Sequence, residues 1–541
     1  MKTRIGCLKD RGLVLISLLA VSILARAGGR PSVVASVDVG DRKQLFIDDQ
    51  VVETVQAVSR VLNRPEKYEG NPIFKAERSW EGNLVGLTSV IYDDEEKIFK
   101  MWYSARKITA QRPPGPLEEH ENLFRASKYK EELNYECFAL SRDGIHWERP
   151  ELGVVEFEGS TKNNILPVDR TMGWLGMMYK DAHEKNPERR YKGVGSWILV
   201  DGRLQAGVSR KGSRGVGVFF SPDGIRSTPY AGNPVLQGAG DNLHTVIGWD
   251  DRIHRYVGYF RPGWNDDQPA FERLSPPAGR LRVRTIGYST SDDFIHWTPL
   301  EPALVPDSKD PVDLQFYGMP AIKYEGYYLG FPWLFRTHRL TMESGFAYSR
   351  DGKTFLRPED RAAFIPLGAK GTWESACVYI SRPIVHQDRL WFYYQAMNWA
   401  HSVADFLAVG ERAGGAVGIA TLPLDGFVSL DAGPNPGTIT TRPLVFKGSR
   451  LLVNFEASLK GSAGVDDASS LQVEVLDPRG RPIQGYGRDE AQTITRTGLR
   501  HSVAWKAGTR LASQEGRPVR LRFHLRNAKL YSFQFVSASP S

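Results

Sequence analysis

One short pattern recurs five times along the chain and limits the folds that the chain can adopt. Each copy has a short apolar run, a tight turn built on Asp-Gly or its equivalent, and a second short run, which is the pattern of a β-hairpin. The copies are CFALSRDGIHWERP from Cys137, GVFFSPDGIRSTP from Gly217, IGYSTSDDFIHWTP from Ile286, GFAYSRDGKTFLRP from Gly345 and GIATLPLDGFVSL from Gly418. Repeats of this length are supersecondary units rather than domains.

A second hairpin lies upstream of the repeated one, as in VGLTSVIYDDEEKIFKMWYSA from Val85 and HTVIGWDDRIHRYVGYFR from His244. Each unit then has four antiparallel strands, and such units can close radially around an axis, which leaves only short sheet edges. Turn signals from Gly, Asp, Asn and Pro are spaced as in all-β proteins, and helical periodicity is nearly absent. We therefore predict an all-β chain with a five-bladed β-propeller over residues 80–441.

Both ends of the chain depart from the repeat. Residues 442–541 contain LLVNFEASL, LQVEVLD and SVAWKAG, which predict a small C-terminal β-sandwich. In residues 28–79, the strand QLFIDDQVV from Gln44 is expected to pair with the last blade and close the ring. In the last long strand of the tail, Arg520, Arg522 and Arg526 alternate with apolar residues, so that face is either solvated or a contact surface for an anionic polysaccharide.

The first 27 residues have the pattern of an export signal: a basic start, the apolar run GLVLISLLAVSILA and the small-x-small site Ala25-Arg26-Ala27. The run has about fourteen residues, fewer than the ~20 that span a bilayer, so a secreted or periplasmic protein without a membrane anchor is expected. The net charge of +8 is concentrated in this signal and in residues 442–541, and export argues against a nucleic-acid partner.

Two cysteines, Cys137 and Cys377, remain once the signal is removed. They are too few for a disulfide scaffold or a cysteine zinc site. Both lie in apolar strand-like runs, which favours free core residues over one mutual disulfide.

Carboxylates recur just before the innermost strand of each unit, where side chains would point into a central funnel. Glu81 and Glu374 have the same offset from their strands, and each follows a tryptophan. Hydrolysis of a glycosidic bond needs one protonated carboxyl to donate to the leaving oxygen and one ionised carboxylate to attack or to activate water. Any single acid here could instead cap a turn or pair with an arginine. The recurring acids are Glu81, Asp169, Asp241, Asp313 and Glu374.

Aromatic and hydrogen-bonding residues flank these acids and are candidates for binding a sugar. The tryptophans could stack on a sugar ring, although large aromatics also pack between sheets. The candidates for substrate binding are Trp80, Trp373, Arg106, Arg261, Arg336, Asn398 and His244.

Two segments of the chain resemble the five-bladed propeller glycosidases, namely the invertase, levanase and inulinase group and the arabinanase and xylosidase group (glycoside hydrolase families 32 and 43). GYSTSDDFIHWTPL is similar to their S-x-D-x-x-x-W line-ending, and TWESACV is similar to the segment that carries their acid. The resemblance covers about Phe46 to Leu430. It implies that Glu374 is the acid, that Asp241 and Asp313 are the base and the orienting residue, and that Glu81 is an alternative base. The chain lacks an NDPNG segment near its start and an RDP segment, which indicates a divergent member.

These observations predict a secreted glycoside hydrolase that acts on a poly- or oligosaccharide. Three alternatives stay open: a non-catalytic glycan-binding propeller, a phosphorylase in which Arg261 and Arg336 bind phosphate, and a sialidase-like enzyme with an arginine cluster. No cofactor is assigned, because no loop has regular oxygen-ligand spacing, although Asp241 and His244 leave a central calcium open.

Overall fold

The computed structural model describes residues 36–168, 175–200, 203–204, 214–237, 245–262, 283–457, 469–506 and 508–537. Within these ranges strands are the dominant regular structure, and the α-helices are the short α1 (Leu123–Ala126) and α2 (Val403–Val409). The prediction of an all-β chain is confirmed. Among the helices of the described ranges, none is long and apolar enough to cross a membrane.

Six short strands open the chain. They are β1 (Val37–Gly40), β2 (Gln44–Leu45), β3 (Val52–Gln56), β4 (Val58–Leu62), β5 (Glu66–Lys67) and β6 (Phe74–Lys75). The first three sequence units follow, and within each unit successive main strands pair antiparallel. The first has β7 (Leu84–Asp93), β8 (Ile98–Thr109) and β9 (Lys130–Ser141). The second has β10 (Leu175–Lys180), β11 (Tyr191–Val200), β12 (Arg203–Leu204), β13 (Arg214–Ser221), β14 (Thr228–Pro229) and β15 (Leu236–Gln237). The third has β16 (Thr245–Asp250), β17 (Arg255–Phe260), β18 (Ile286–Ser291) and β19 (Glu301–Leu304).

The fourth unit contains an additional hairpin. Its strands are β20 (Leu314–Phe316), β21 (Ala321–Tyr324), β22 (Tyr327–Gly330), β23 (Trp333–Arg336), β24 (Thr341–Ser344) and β25 (Ala347–Ser349). Strands β21, β22 and β25 form one sheet, whereas β23 pairs with β20 and β24. The fifth unit has β26 (Cys377–Ile380), β27 (Ile384–His386), β28 (Arg389–Met397) and β29 (Gly415–Pro423).

The outer edge of the fifth unit is covered by the N-terminal strands β5 and β6, which both pair antiparallel with β29. Side-chain bonds fix this register: Asn71 donates to the Ile419 carbonyl at 2.9 Å and accepts from the Ile419 amide at 2.9 Å. Asn233 makes the same pair of bonds with Val218 in the second unit. We expected the strand from Gln44 to pair with the last unit, but β5 and β6, which lie further along the chain, make this pairing instead.

The remaining strands form a second, sandwich-like domain with two main sheets. They are β30 (Val428–Ala432), β31 (Gly437–Thr441), β32 (Leu444–Phe446), β33 (Arg450–Ala457), β34 (Ser470–Leu476), β35 (Gly498–Ser502), β36 (Arg520–Arg526) and β37 (Ala528–Val536). One sheet has the order β35-β33-β37-β30-β4, with β2 also paired to β37, and the other has the order β3-β31-β36-β34. Strand β1 pairs in parallel with β32.

This domain is larger than the expected span 442–541, because it takes four strands from the N-terminal segment and two from just before residue 442. The segment from Gln44 belongs here, since Gln44 pairs with Phe533. Phe46 is fully buried in the sandwich core, 6.2 Å from Phe523 between ring centroids. Apolar side chains of the N-terminal segment thus fill the space between the two sheets.

Neighbouring units are joined by a repeated hydrogen bond from a tyrosine to a buried carboxylate. Tyr191 of the second unit donates to Asp93 of the first at 3.0 Å, and Tyr256 of the third donates to Asp181 of the second at 2.8 Å. The same bond joins Tyr328 to Asp250, and Tyr324 of the fourth unit to Asp425, which follows β29. Tyr393 of the fifth unit donates to the Gly144 carbonyl of the first at 2.9 Å. The units therefore contact one another in chain order, and the fifth contacts the first.

The recurring S-x-D turns are held by one set of hydrogen bonds. In the first unit, the Asp143 carboxylate accepts from the amides of Ile145 and His146, and Ser141 donates to the same carboxylate. The turns at Asp223, Asp293 and Asp351 repeat these bonds. The repeated pattern in the sequence thus stabilises the turns of the hairpins.

Cys137 and Cys377 are free and buried, which confirms their interpretation as core residues.

Candidate active site

A cavity of about 300 Å³ lies between the five units. The first strands of four units contribute to it through Leu84, Met177, Thr245 and Tyr379, and the fourth unit contributes Tyr317. This volume is in the range of pockets that bind small molecules. The described wall has five aromatic residues, which are Tyr129, Tyr317, Trp333, Tyr379 and Trp399. It also has five charged or titratable residues, which are Arg106, Glu131, Glu136, Arg382 and His401.

Strands β8 and β9 place an arginine beside two carboxylates in this wall. The Arg106 guanidinium donates to the Ser104 hydroxyl at 3.2 Å, and Ser104 is paired in register with Glu136. Glu136 is 8% exposed, whereas Glu131 lies on the exposed part of β9. Burial lowers the pKa of Arg106, and the nearby charges of Glu131 and Glu136 oppose that shift. The arrangement provides carboxylates of different burial together with a cation.

Tyrosine hydroxyls supply donors on the same wall. Burial, reinforced by the Glu131 charge, raises the pKa of Tyr129 to about 12, so its hydroxyl is protonated at neutral pH. Tyr379 also has a raised pKa because it is buried. Tyr317 and His401 lie 3.1 Å apart, from the hydroxyl to Nε2, and their rings meet edge to face. Aromatic faces beside hydrogen-bonding groups suit a sugar ring, which has an apolar face and a polar rim.

The sequence-predicted acid Glu374 has other partners. The Lys67 ammonium of β5 lies 2.9 Å from Glu374 Oε1, and the Tyr394 hydroxyl donates to Oε2 at 2.9 Å. The Trp373 ring stacks on the Tyr394 ring with a centroid separation of 5.8 Å. Neither Glu374 nor Trp373 belongs to the described wall of the cavity. Glu374 thus connects the fifth unit to its outer strand, and Trp373 packs within the unit.

Glu81 has the matching role in the first unit. Its carboxylate is completely buried, and it accepts from Tyr103 at 2.6 Å and from Arg149 at 2.7 Å. Trp80 donates to Asn164 at 2.9 Å, and Asn164 donates to the Tyr103 hydroxyl at 2.7 Å. The equal offset of the two Trp-Glu pairs therefore reflects one packing motif used twice. Within the described wall, the cavity does not include Glu81 or Trp80.

Asp313 and Arg336 form a salt bridge at the end of the β20–β23 pair, with 2.7 Å between Arg336 Nη2 and Asp313 Oδ1. The hydrogen bond from Arg336 lowers the pKa of Asp313. Arg261 is buried beside Tyr317, with its guanidinium carbon 4.5 Å from the Tyr317 ring centroid and a 3.3 Å bond to the Tyr317 carbonyl. The two residues expected to bind phosphate in a phosphorylase are thus bound within the protein.

Asn398 bridges the ends of a loop. Its side chain donates to the Arg412 carbonyl at 2.7 Å and accepts from the Gly414 amide at 3.0 Å. Trp399 and His401, which follow Asn398 in the sequence, lie in the cavity wall. Of the eleven site residues predicted from the sequence, only Arg106 lies in the described wall. Asp241 and His244, together with Asp169, lie outside the described residues.

The structure adds four charged or titratable wall residues to the predicted set: Glu131, Glu136, Arg382 and His401. One of them had a visible signal. Glu136 stands inside the apolar run YECFALS and directly before the buried residues Cys137, Phe138 and Ala139, where a lone carboxylate is unusual. The others lie in loops or at strand ends, where charged residues are ordinary.

The arginines of β36 have partners in the sandwich. Arg520 is 7% exposed and pairs with Glu53, Arg522 pairs with Glu474 at 3.4 Å, and Arg526 donates to the Pro434 carbonyl at 2.9 Å. An anionic polysaccharide would compete with these bonds, and its binding to this face stays a prediction. Loss of binding to the full chain with rising salt would test it.

No protein-family model matches the chain, and no curated protein matches it. Among solved structures, the chain is similar to a protein described as a glycoside hydrolase, with 15% identity, 66% of this chain and 92% of the other covered, and a TM-score of 0.43. A β-1,2-mannobiose phosphorylase from Listeria innocua is 13% identical, with 66% of this chain and 96% of the other covered and a TM-score of 0.42. A glycosyl hydrolase from Bacteroides ovatus is 14% identical, with 67% of this chain and 94% of the other covered and a TM-score of 0.40. At this level of likeness, neither the fold nor the activity of those proteins transfers to this chain.

Within the described ranges, no three His, Cys, Asp or Glu side chains are grouped closely enough to hold a metal ion.

Proposed function

We propose that this protein is a secreted glycoside hydrolase that binds a poly- or oligosaccharide in the cavity between its five units. The observation that carries the proposal is the wall itself, where Glu136 and Glu131 lie beside Arg106 and among aromatic rings. Carboxyl groups, hydrogen-bond donors and flat apolar faces are what glycosidic chemistry requires. The export pattern in residues 1–27 supports secretion.

The proposed scaffold is a five-bladed β-propeller. Each of the five units holds its own antiparallel strands, and tyrosine bonds link the units in chain order. The bond from Tyr393 to Gly144 links the fifth unit to the first. Pairing of β5 and β6 with β29 supplies the outer strand of the last blade. A closed ring of this kind has no long unpaired edge.

For the chemistry we propose Glu136 as the general acid. Its carboxyl is 8% exposed and borders the cavity, so it lies where it could deliver a proton to a glycan bound there. Asp241 remains the proposed base, because it precedes Thr245, a residue of the cavity wall. Glu131 is the alternative base, since it is the other carboxylate of the described wall and lies nearer to solvent.

The test is a screen of the full protein against plant, algal and animal glycans, read by the release of reducing ends. On the glycan that is cleaved, Glu136→Gln should lower the rate by about 10² to 10⁴, because general acid catalysis is worth that much. On an activated aryl glycoside, whose leaving group needs little protonation, the loss should be much smaller. Asp241→Asn should slow both substrates alike.

The matched control is Glu132→Gln, since Glu132 is exposed on the same strand and bonds to Lys107 and Thr109. This variant should keep the parental rate. Full activity of Glu136→Gln on the natural glycan would refute its role as the acid. If the protein binds glycans but cleaves none of those tested, a glycan-binding propeller is favoured. If cleavage depends on added phosphate, a phosphorylase is favoured.

A further inference from the structure

Arg382 differs from the other arginines near the cavity. It follows β26, and four consecutive residues, Tyr379 to Arg382, line the wall. The residue is half-buried, yet no side chain or carbonyl among the described residues accepts a hydrogen bond from its guanidinium. A guanidinium has five N–H donors arranged as a fork, so a wall position of this kind leaves strong binding capacity directed at a ligand.

The neighbouring arginines show what a structural role looks like in this protein. Arg149 is bonded to Glu81, and Arg336 is bonded to Asp313. Among the described residues, Tyr179 is the ionisable group that acts on Arg382, and burial lowers the pKa of the guanidinium. Arginine nevertheless stays protonated at neutral pH. A partly desolvated cation to which the described residues supply no counter-ion is costly to fold, unless a ligand supplies the counter-charge.

Contact with Tyr179 does not satisfy this group. The Arg382 guanidinium carbon lies 6.0 Å from the Tyr179 ring centroid, at the outer limit of a cation–π contact. That contact uses the ring face and leaves the N–H donors in their own plane. The Tyr179 hydroxyl is itself buried without a hydrogen-bond partner among the described residues.

We propose that Arg382 binds an anionic substituent of the glycan, so that the substrate is an acidic saccharide carrying a uronic-acid carboxylate or a sulfate ester. The inference rests on the proposed function, because it places the glycan in the same cavity. Both substituents present coplanar or clustered oxygens that accept two hydrogen bonds from one guanidinium. A neutral hydroxyl could accept one bond but would leave the charge uncompensated.

The test compares binding of matched saccharides to the full protein by isothermal titration calorimetry. One arm uses uronic-acid oligosaccharides from pectin, alginate and glycosaminoglycans, each beside its carboxyl-reduced form. The second arm uses sulfated galactan oligosaccharides beside their desulfated forms, and inorganic phosphate is a third ligand. We expect at least one acidic member to bind about 10- to 100-fold more tightly than its neutral partner.

Arg382→Gln should remove that preference, and Arg382→Lys should keep only part of it, since an ammonium lacks the planar fork. Arg389→Gln is the matched control, because Arg389 is exposed and bonds to the Thr421 hydroxyl. This control should bind like the parent. Without ligand, Arg382→Gln should have an equal or higher Tm, whereas a residue that holds the fold together would lower it when replaced.

The outcomes separate the inference from the proposed function. Arg382-dependent binding of acidic saccharides without cleavage supports the inference and refutes the hydrolase. Cleavage of neutral glycans with no acidic preference, or an acidic preference that survives Arg382→Gln, overturns the inference and leaves the hydrolase standing. Binding of phosphate alone also overturns it. If no saccharide binds and none is cleaved, both proposals fail.

Discussion

The Lys67 ammonium lies 2.9 Å from the Glu374 carboxylate and ties an N-terminal strand to the fifth unit of the chain. The contact is partly shielded from water, with the Lys67 side chain 26% and the Glu374 side chain 13% exposed. Tyr394 adds a second bond to the same carboxylate. A residue with the sequence context of a catalytic acid thus has partners that suit a clamp on the outer strand.

From this contact we predict that Glu374→Gln lowers stability while leaving catalysis per folded molecule unchanged. The free energy of unfolding should fall by about 1–3 kcal/mol, the range for hydrogen bonds to charged groups. Lys67→Met should give a similar loss, and the double variant should lose less than the sum, because the two residues are in contact. Urea unfolding measures all three.

The kinetic control for that prediction is the ratio of rates on the natural glycan and on an activated aryl glycoside. The ratio should be the same in Glu374→Gln as in the parent. A selective loss of about 10² or more on the natural glycan would show that Glu374 is the acid after all.

A second prediction concerns the sandwich. A fragment of residues 442–541 should not fold, because it lacks β1 to β4, β30 and β31. Its core would lose Val39, Phe46, Val52, Leu430 and Ile439, all of which are buried in the intact domain. Circular dichroism should show no cooperative unfolding transition for this fragment.

The comparison for the fragment is a chain in which residues 36–62 are joined by a flexible linker to residues 427–537. This chain restores every strand of both sheets and should unfold cooperatively. Cooperative unfolding of the shorter fragment alone would contradict the assignment of the N-terminal strands to the sandwich core.

A third prediction is acid sensitivity at the contact between the first two units. Asp93 is almost fully buried, and burial alone would raise its pKa. Hydrogen bonds from Lys180 and Lys100 outweigh burial and hold the pKa below its ordinary value. A carboxyl whose pKa is lower in the folded state contributes stability above its unfolded pKa of ~3.9 and loses it as pH falls below that value.

Asp93→Asn should therefore flatten the dependence of the unfolding free energy on pH between about 5 and 2, besides lowering stability at neutral pH. Asp94→Asn, at the exposed neighbouring position, should leave the slope of the parent. Urea unfolding at a series of pH values measures this. An unchanged slope for Asp93→Asn would show that the two lysines do not hold the carboxylate as described.

The strand content of the fold could be predicted because the S-x-D turns repeat and their hydrogen bonds are local. Closure of the fifth unit could not be found from apolar alternation, since Gln44 to Val52 looks like any other strand. A finer signal was present: GNPIF at residues 70–74 repeats GNPVL at residues 232–236, and Asn71 and Asn233 make the same bonds. Matching those segments would have located the outer strand.

The site was harder to predict than the fold because the sequence does not show how an acid is paired. Glu81 and Glu374 stand at equal offsets before their strands, yet Arg149 and Lys67, which neutralise them, are distant in sequence. For Glu136 the sequence suggested a packing position rather than a site. It lies within an apolar strand, where alternation suggests packing, and only the assembly of all five units shows that its face of β9 borders a cavity.

Pairing of β2 with β37 determines when the sandwich domain can finish folding during translation. Gln44 leaves the ribosome long before its partner Phe533, because almost the whole propeller-like part of the chain lies between them. Contacts that distant in sequence form slowly, and the early strands stay without partners while the rest of the chain is translated. A chain truncated before β37 would leave β2 and β33 without their common partner. We therefore expect truncated products to depend on chaperones and to be degraded, although all five repeat units are intact.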